Sequence, residues 1–211
     1  MKNKKGSVFI SIGVVLLAGA LALSAYNIFD AKRAEKAALK AAEEMESYLA
    51  EKLAEMNDYT KYEDVEFIPD YVLYPEMEMP VNEIDGYDYI GVLEIPALDL
   101  SLPVLSEINN SLLKIAPCRY EGTAYLPGFV IGAHNYTSHF ANLKLLSGGE
   151  EVVFRDNAGN TFTYEVMFCE QLKPGQTAEM KSDEWDLTLF TCTPGGQYRV
   201  TVRCMAKDEL R

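Results

Sequence analysis

From Ser7 to Phe29 the chain reads "SVFISIGVVLLAGALALSAYNIF", without one charged residue. A helix of that length, at about 1.5 Å per residue, crosses the roughly 30 Å hydrocarbon core of a bilayer. Inside lipid only a helix or a closed barrel satisfies its own backbone, so this run fixes the N-terminal segment before anything else is read. Ala20-Leu21-Ala22 has the small-x-small form of a secretory cleavage site. The apolar run is longer than an ordinary signal core, which favours an uncleaved signal anchor. Lys2, Lys4 and Lys5 precede it, but Lys32, Arg33, Lys36 and Lys40 follow it closely. Positive charge alone therefore does not decide the orientation.

Residues 30–60 are rich in Ala, Glu, Lys and Leu, the strong helix formers. Ala38, Ala41, Ala42, Met45, Leu49, Leu53 and Met56 recur at helical spacing in a weak apolar stripe. The reading is a helical stalk, solvated and without a partner, with a coiled-coil dimer as the alternative. Residues 61–86 change texture to "KYEDVEFIPDYVLYPEMEMPVNEIDG", rich in proline and aromatics and without a sustained period. This segment is expected to be an extended connector, or a lid over a groove.

Residues 87–211 form the globular part, large enough for one domain with a real core. "YDYIGVLEIP", "LDLSLPVL", "GFVIGAH", "EEVVFRD", "TFTYEVMFCE", "LTLFTCT" and "YRVTVRCMA" read as strands. "NAGN" is a hairpin turn by composition, while "NNSLLKIAP" and "HFANLKLL" read as short helices. The fold class is all-β dominated, a closed barrel or a sandwich.

The formal net charge is −13 and the basic residues form no patch, which argues against a nucleic-acid partner. The chemistry must come from a local site. Cys118, Cys169, Cys192 and Cys204 include no CxxC, and His134 and His139 are the only histidines. That excludes the usual closed zinc centre and a disulfide scaffold. Cys169 and Cys204 are expected to be packed.

Cys192 ends the strand of "TLFTCTPGGQYRVTVRC", and Arg199 opens the next one after a Pro-Gly-Gly turn. A thiol becomes a useful nucleophile beside a base or a positive charge. His134 ends an apolar strand and is the natural base, whereas His139 reads as a surface or capping residue. Arg199 carries a fixed charge suited to a developing oxyanion. Arg203 shares its strand face but lies roughly 13 Å further along at about 3.3 Å per residue. Buried cysteines are usually small apolar side chains, so the Cys–His pair does not establish catalysis by itself.

"TLFTC" followed by a strand-borne arginine resembles the TLxTC signature of the sortase family. "GVLEIPALDLSLPV" resembles the opening strands of the sortase barrel. "YEGTAYLPGFVIGAHNY" resembles the segment carrying the family histidine, and "FANLKLLSGGEEVVF" the segment after it. The likeness covers roughly residues 87–206.

The resemblance implies an eight-stranded sortase-type β-barrel behind a transmembrane helix and helical stalk. The division becomes a basic tail and anchor over 1–29, a stalk over 30–60, a connector or lid over 61–86 and a catalytic barrel over 87–211. It implies a cysteine transpeptidase on a Gram-positive cell surface, with the domain outside. His134, Cys192 and Arg199 match the catalytic residues, and Thr191 matches the signature threonine and is assigned to substrate binding. Tyr136, just past the histidine, is assigned there too. Cys118, in "APCRYEG", reads first as core packing; the sharper alternative places it at the substrate groove, as a thiol able to trap Cys192 in a disulfide.

The implied reaction cleaves an LPxTG-like C-terminal motif after its threonine, holds the acyl chain as a thioester and passes it to an amine. Partners would be surface proteins or pilins bearing the motif, and an amine of a peptidoglycan stem, cross-bridge or pilin lysine. No cofactor and no metal are expected, since no Asp/Glu cluster maps onto the calcium site of one branch. The tail "MAKDELR" brings no second hydrophobic span, which weakens the pilus-building subclass. The alternatives are a plain cysteine peptidase and a catalytically silent surface binding module.

Overall fold

The computed structural model describes residues 4–60 and 68–207. It begins with one continuous helix, α1, Lys4–Thr60. The apolar run and the stalk are thus a single rod. Along it, the residues from Val8 to Phe29 are exposed apolar side chains, as a lipid-facing helix requires.

Nine strands follow: β1 (Asn82–Ile84), β2 (Tyr87–Ile95), β3 (Leu100–Leu105), β4 (Cys118–Glu121), β5 (Phe129–Ala133), β6 (Glu151–Asp156), β7 (Thr161–Leu172), β8 (Leu187–Cys192) and β9 (Arg199–Ala206). They are ordered β1-β2-β3-β4-β5-β8-β9-β7-β6, and β2 also pairs with β6. That last pairing closes β2 to β9 into a barrel of eight strands, with β1 appended at the edge of β2. Closure leaves no unpaired edge among the eight. Phe129, Ile131, Phe154, Tyr164, Leu189 and Val202 belong to the cluster that fills the interior.

The strands read from alternation are all present, and the short β1 and β4 join them. The two expected short helices are reduced to single 3₁₀ turns, Leu112–Lys114 and Leu143–Leu145.

The stalk is not a solvated rod. Ala34, Ala38, Ala41, Ala42, Met45 and Leu49 are buried. Ala41, Met45 and Leu49 share a second apolar cluster with Ile84, Tyr89, Val92, Leu105, Ala116 and Cys118. The weak stripe has a partner after all, and the partner is the barrel wall. Small alanines let the helix lie close, and Lys40 pairs with Asp85 at the edge of the contact. A cavity of about 410 Å³ remains between helix and wall, lined by residues that include Lys36, Ala37, Tyr87 and Ile115.

Residues 61–67 of the connector lie outside the described residues. The rest, with a helical turn α2 at Asp70–Leu73, runs to the barrel end where β5 begins. Tyr71 stacks on Tyr125 with ring centroids 5.0 Å apart and meets Phe162 at 5.2 Å. Met79 is buried in the interior cluster, and Asn157 donates to the Pro80 carbonyl at 2.9 Å. The described connector therefore plugs the barrel end opposite the one where β5 and β8 finish.

Candidate active site

Register alone brings three of the sequence-selected residues together. β5 and β8 run parallel with Ala133 beside Thr191, so His134 and Cys192 follow as the next residues of two neighbouring strands. β8 and β9 run antiparallel with Cys192 directly opposite Arg199. Neighbouring strands lie about 4.8 Å apart, so the three backbones form a short row at one end of the barrel.

Alternation puts their side chains on one face. Ile131, Ala133, Leu189 and Val200 point into the interior cluster. Val130 and Phe190 belong to an outer cluster with Leu172, Met180 and Tyr120. His134, Cys192 and Arg199 continue the outer series. Gly132 is part of this arrangement, because a Cβ there would come within 2.5 Å of the Phe190 ring. That ring lies across the glycine and meets Tyr120 edge-on at 5.4 Å.

The turn between Cys192 and Arg199 is tight for a stated reason. Gly195 has φ +82° and Gly196 φ +72°, and Gly196 N–H donates to the Thr193 carbonyl at 2.7 Å. Pro194 followed by a left-handed glycine is the sequence of a type II turn. Thr193 N–H also donates to the Tyr198 carbonyl at 2.9 Å, and this sets Cys192 opposite Arg199.

The row opens onto a groove of about 320 Å³ that reaches both Cys192 and Arg199. Its walls come from the β3–β4 connection, including Ile108 and Leu113, and from the β7–β8 crossover, including Pro174 and Met180. Phe190 and Tyr120 also line it. Cys192 and Arg199 are half-buried, and among the described residues the guanidinium donates only to the Gly196 and Tyr198 carbonyls, both from Nη1, at 3.1 and 3.3 Å. His134 is half-buried as well. Burial and the Lys114 charge hold its imidazole below the usual range, and the Asp30 carboxylate works in the opposite direction.

Other sequence-selected residues fall elsewhere. Arg203 is 2% exposed, with Nε on Glu170 at 2.7 Å, Nη1 on the Thr188 hydroxyl at 3.0 Å and Nη2 on the Glu179 carbonyl at 2.7 Å. It is a brace, with all three of its nitrogens bonded within the fold. Thr191 is also 2% exposed, and its hydroxyl donates to the Ala133 carbonyl at 2.8 Å. It ties β8 to β5 instead of facing the groove.

Cys118 is not a groove residue. It is fully buried in the cluster beneath α1, its thiol on the Ala116 carbonyl at 3.4 Å and pushed up to about 12 by burial. All four cysteines are free. Cys204 is buried, but Cys169 is exposed, contrary to its expected packing.

Tyr136 does not line the groove; its hydroxyl donates to Asp30 Oδ2 at 2.6 Å. His139 is neither on the surface nor a cap. It is 0% exposed, neither ring nitrogen has a hydrogen-bond partner among the described residues, and burial pushes its pKa down to about 4. Asp30 was not visible as a site residue, because nothing in a sequence links it to Tyr136 across 106 positions. Among the described residues no group of three or more His, Cys, Asp or Glu is placed to hold a metal ion.

Comparison with known proteins adds a family match. The family model described as Sortase domain matches residues 93–207. The chain is similar to the solved structure of sortase C1 from Streptococcus suis, with 27% identity over 57% of this chain and 73% of that one and a TM-score of 0.51. It is also similar to a lid mutant of sortase A from Corynebacterium diphtheriae, with 25% identity, coverage of 66% and 78%, and a TM-score of 0.51. Sortase C from Clostridium perfringens SM101, at 23% identity, coverage of 77% and 90% and a TM-score of 0.50, shares the fold. No curated protein matches the chain.

Proposed function

Because the chain belongs to the sortase family of cysteine transpeptidases, we propose that Cys192, His134 and Arg199 carry out its reaction on an LPxTG-like sorting motif. The observation that carries this reading is the row of three residues on one outer face, of which Cys192 and Arg199 line the groove.

The Cys192 thiolate attacks the carbonyl carbon between threonine and glycine of the motif. The carbonyl electrons move onto oxygen, and the Arg199 guanidinium stabilises that charge. Its two bonds both run from one nitrogen, Nη1, to neutral turn carbonyls, and a charged oxyanion is the stronger acceptor for the same guanidinium. Collapse of the intermediate breaks the C–N bond, and His134 gives its proton to the leaving amine. The acyl chain stays on Cys192 as a thioester. An incoming amine then loses a proton to His134, attacks the thioester and expels the thiolate, leaving a new amide.

The apolar helix anchors the enzyme in a membrane by a single pass, with the barrel on the outer side. The acylated partner is a surface protein or pilin bearing the motif. The acceptor is an amine of the cell wall or of a pilin lysine.

The test uses the full-length protein in detergent micelles, a panel of LPxTG-like peptides and an oligoglycine or lysine amine. Mass spectrometry is expected to find an acyl adduct on Cys192 and a new amide product. Cys192→Ala should abolish both, lowering turnover by at least about 10³-fold. An acid product without amide would point to a peptidase. Absence of any adduct would point to a binding module.

A further inference from the structure

The catalytic row has an unequal foundation. Cys192 and Arg199 belong to a paired hairpin, but His134 lies one residue beyond the last β5–β8 pair. Among the described residues its imidazole is held by a ring contact and not by a hydrogen bond. That contact is Tyr136, with ring centroids 5.0 Å apart and planes at 51°. Tyr136 also meets the buried His139 ring, with centroids 5.4 Å apart and planes at 56°. The phenol thus touches both imidazoles, each at a tilt.

Its backbone is fixed as well. The Tyr136 carbonyl accepts from His139 N–H at 2.9 Å and from Ala141 N–H at 3.1 Å, while Phe140 N–H donates to the His134 carbonyl at 3.3 Å. Its far end is fixed by α1. The hydroxyl donates to Asp30 Oδ2, and Arg33 holds the other carboxylate oxygen at 2.9 Å. Asp30 is the first residue after the apolar run. Its position is set by the buried alanine face that begins one turn later at Ala34.

We propose that Tyr136 is a positioning residue for His134, and that Asp30 at the end of the membrane anchor holds Tyr136 in place. The anchor helix thereby completes the catalytic edge as well as tethering it. The inference rests on the reading of His134 as the acid–base. A ring contact alone leaves an imidazole free to tilt, and a misplacement of about 1 Å can cost on the order of 100-fold in rate. A ring clamped at its hydroxyl end removes that freedom. The charged and titratable groups facing His134 are Asp30 from α1, Lys114 from the β3–β4 connection, and Tyr136 and His139 from its own loop; Arg33 pairs with Asp30.

The test uses the full-length enzyme in detergent or bilayer nanodiscs, assayed with a motif peptide and an amine. Tyr136→Phe, which keeps the ring and loses the hydroxyl, should lower kcat about 10-fold with KM within about twofold. Asp30→Asn should lower kcat less. It should also move the acidic limb of the pH–rate profile to lower pH, because a negative charge facing His134 is gone. The double variant should be no worse than Tyr136→Phe alone, since both break one connection.

Asp30 is on the helix surface, so Asp30→Asn keeps the test informative even if the tyrosine variant folds poorly. Multiplying single effects, a change confined to KM, or an unchanged pH profile in an active Asp30→Asn enzyme would overturn the inference. His134→Ala is expected to be inactive throughout. Wild-type turnover in that variant would overturn the reading of His134 itself, and the inference with it.

Discussion

The outer face of β5, β8 and β9 has two halves that use the same kinds of residue differently. At the groove end, Arg199 sits opposite Cys192 and donates to two turn carbonyls. Four residues along the same strand, Arg203 sits opposite Thr188 and is buried against Glu170, Thr188 and the Glu179 carbonyl. Both are strand arginines on one face. One has its charge partnered by a carboxylate and all three of its nitrogens bonded within the fold; the other has no carboxylate partner among the described residues and stands at a groove. A guanidinium can serve an incoming anion only where the fold has not already satisfied it. The neighbours, not the residue type, divide structure from chemistry here.

The sharpest way to break the comparison is to exchange the consequences. Arg203→Ala leaves Glu170 and the Glu179 carbonyl without their donor. Removing one partner of a buried pair costs about 3–5 kcal/mol. Glu170 is 34% exposed, which places this case at the lower end, about 3 kcal/mol. Thermal melting should show the loss, with turnover at low temperature largely retained. Arg199→Ala should behave oppositely. Loss of an oxyanion donor costs on the order of 10²-fold in kcat, or about 2.7 kcal/mol of barrier, with melting almost unchanged. An Arg203 variant that is stable but inactive would reverse the assignment.

A smaller effect tests the floor between the halves. Gly132→Ala would place a methyl within 2.5 Å of the Phe190 ring. The ring is side chain and can shift, but it is packed against Tyr120, so overpacking should cost about 1–2 kcal/mol. Peptide binding should weaken as the displaced ring narrows the groove. Phe190→Leu in the same chain should restore part of the stability. No recovery would mean that the close approach is not what selects glycine here.

The two halves were not equally legible in the sequence. Period-two alternation gave the main strands, and the Pro-Gly-Gly turn placed Arg199 near Cys192, because both signals are local. Arg199 was separable from Arg203 by distance along the strand, but the bonds that hold Arg203 come from β7, β8 and the crossover, which no local pattern reveals. The same limit hid Asp30, its bond to Tyr136 and the docking of the stalk. Its alanine stripe was visible while its partner, an outward row including Tyr89, Val92 and Leu105, belongs to distant strands. His139 misled for a related reason. It stands near the site in the chain and is buried by elements that arrive from elsewhere, while Cys118 is packed as first read and only its groove alternative fails.

His139 supplies the smallest effect and separates His134, the proposed acid–base imidazole, from the buried one. Burial holds its folded-state value down to about 4, against an ordinary value near 6.5. Above about pH 6.5 it is neutral in both states and adds no pH dependence. As pH falls below that, the unfolded chain takes up a proton that the folded chain refuses, so stability declines. The slope reaches at most about 1.4 kcal/mol per pH unit and ends once the folded imidazole itself protonates near 4. His139→Met fills a similar volume without a titrating group. Its melting temperature should therefore fall less than the wild type's between pH 7 and pH 5, a difference of about 1–2 kcal/mol at the acid end. Equal acid sensitivity in the two proteins would mean that His139 is protonated at little cost, and that the acid loss originates in His134 and the carboxylates.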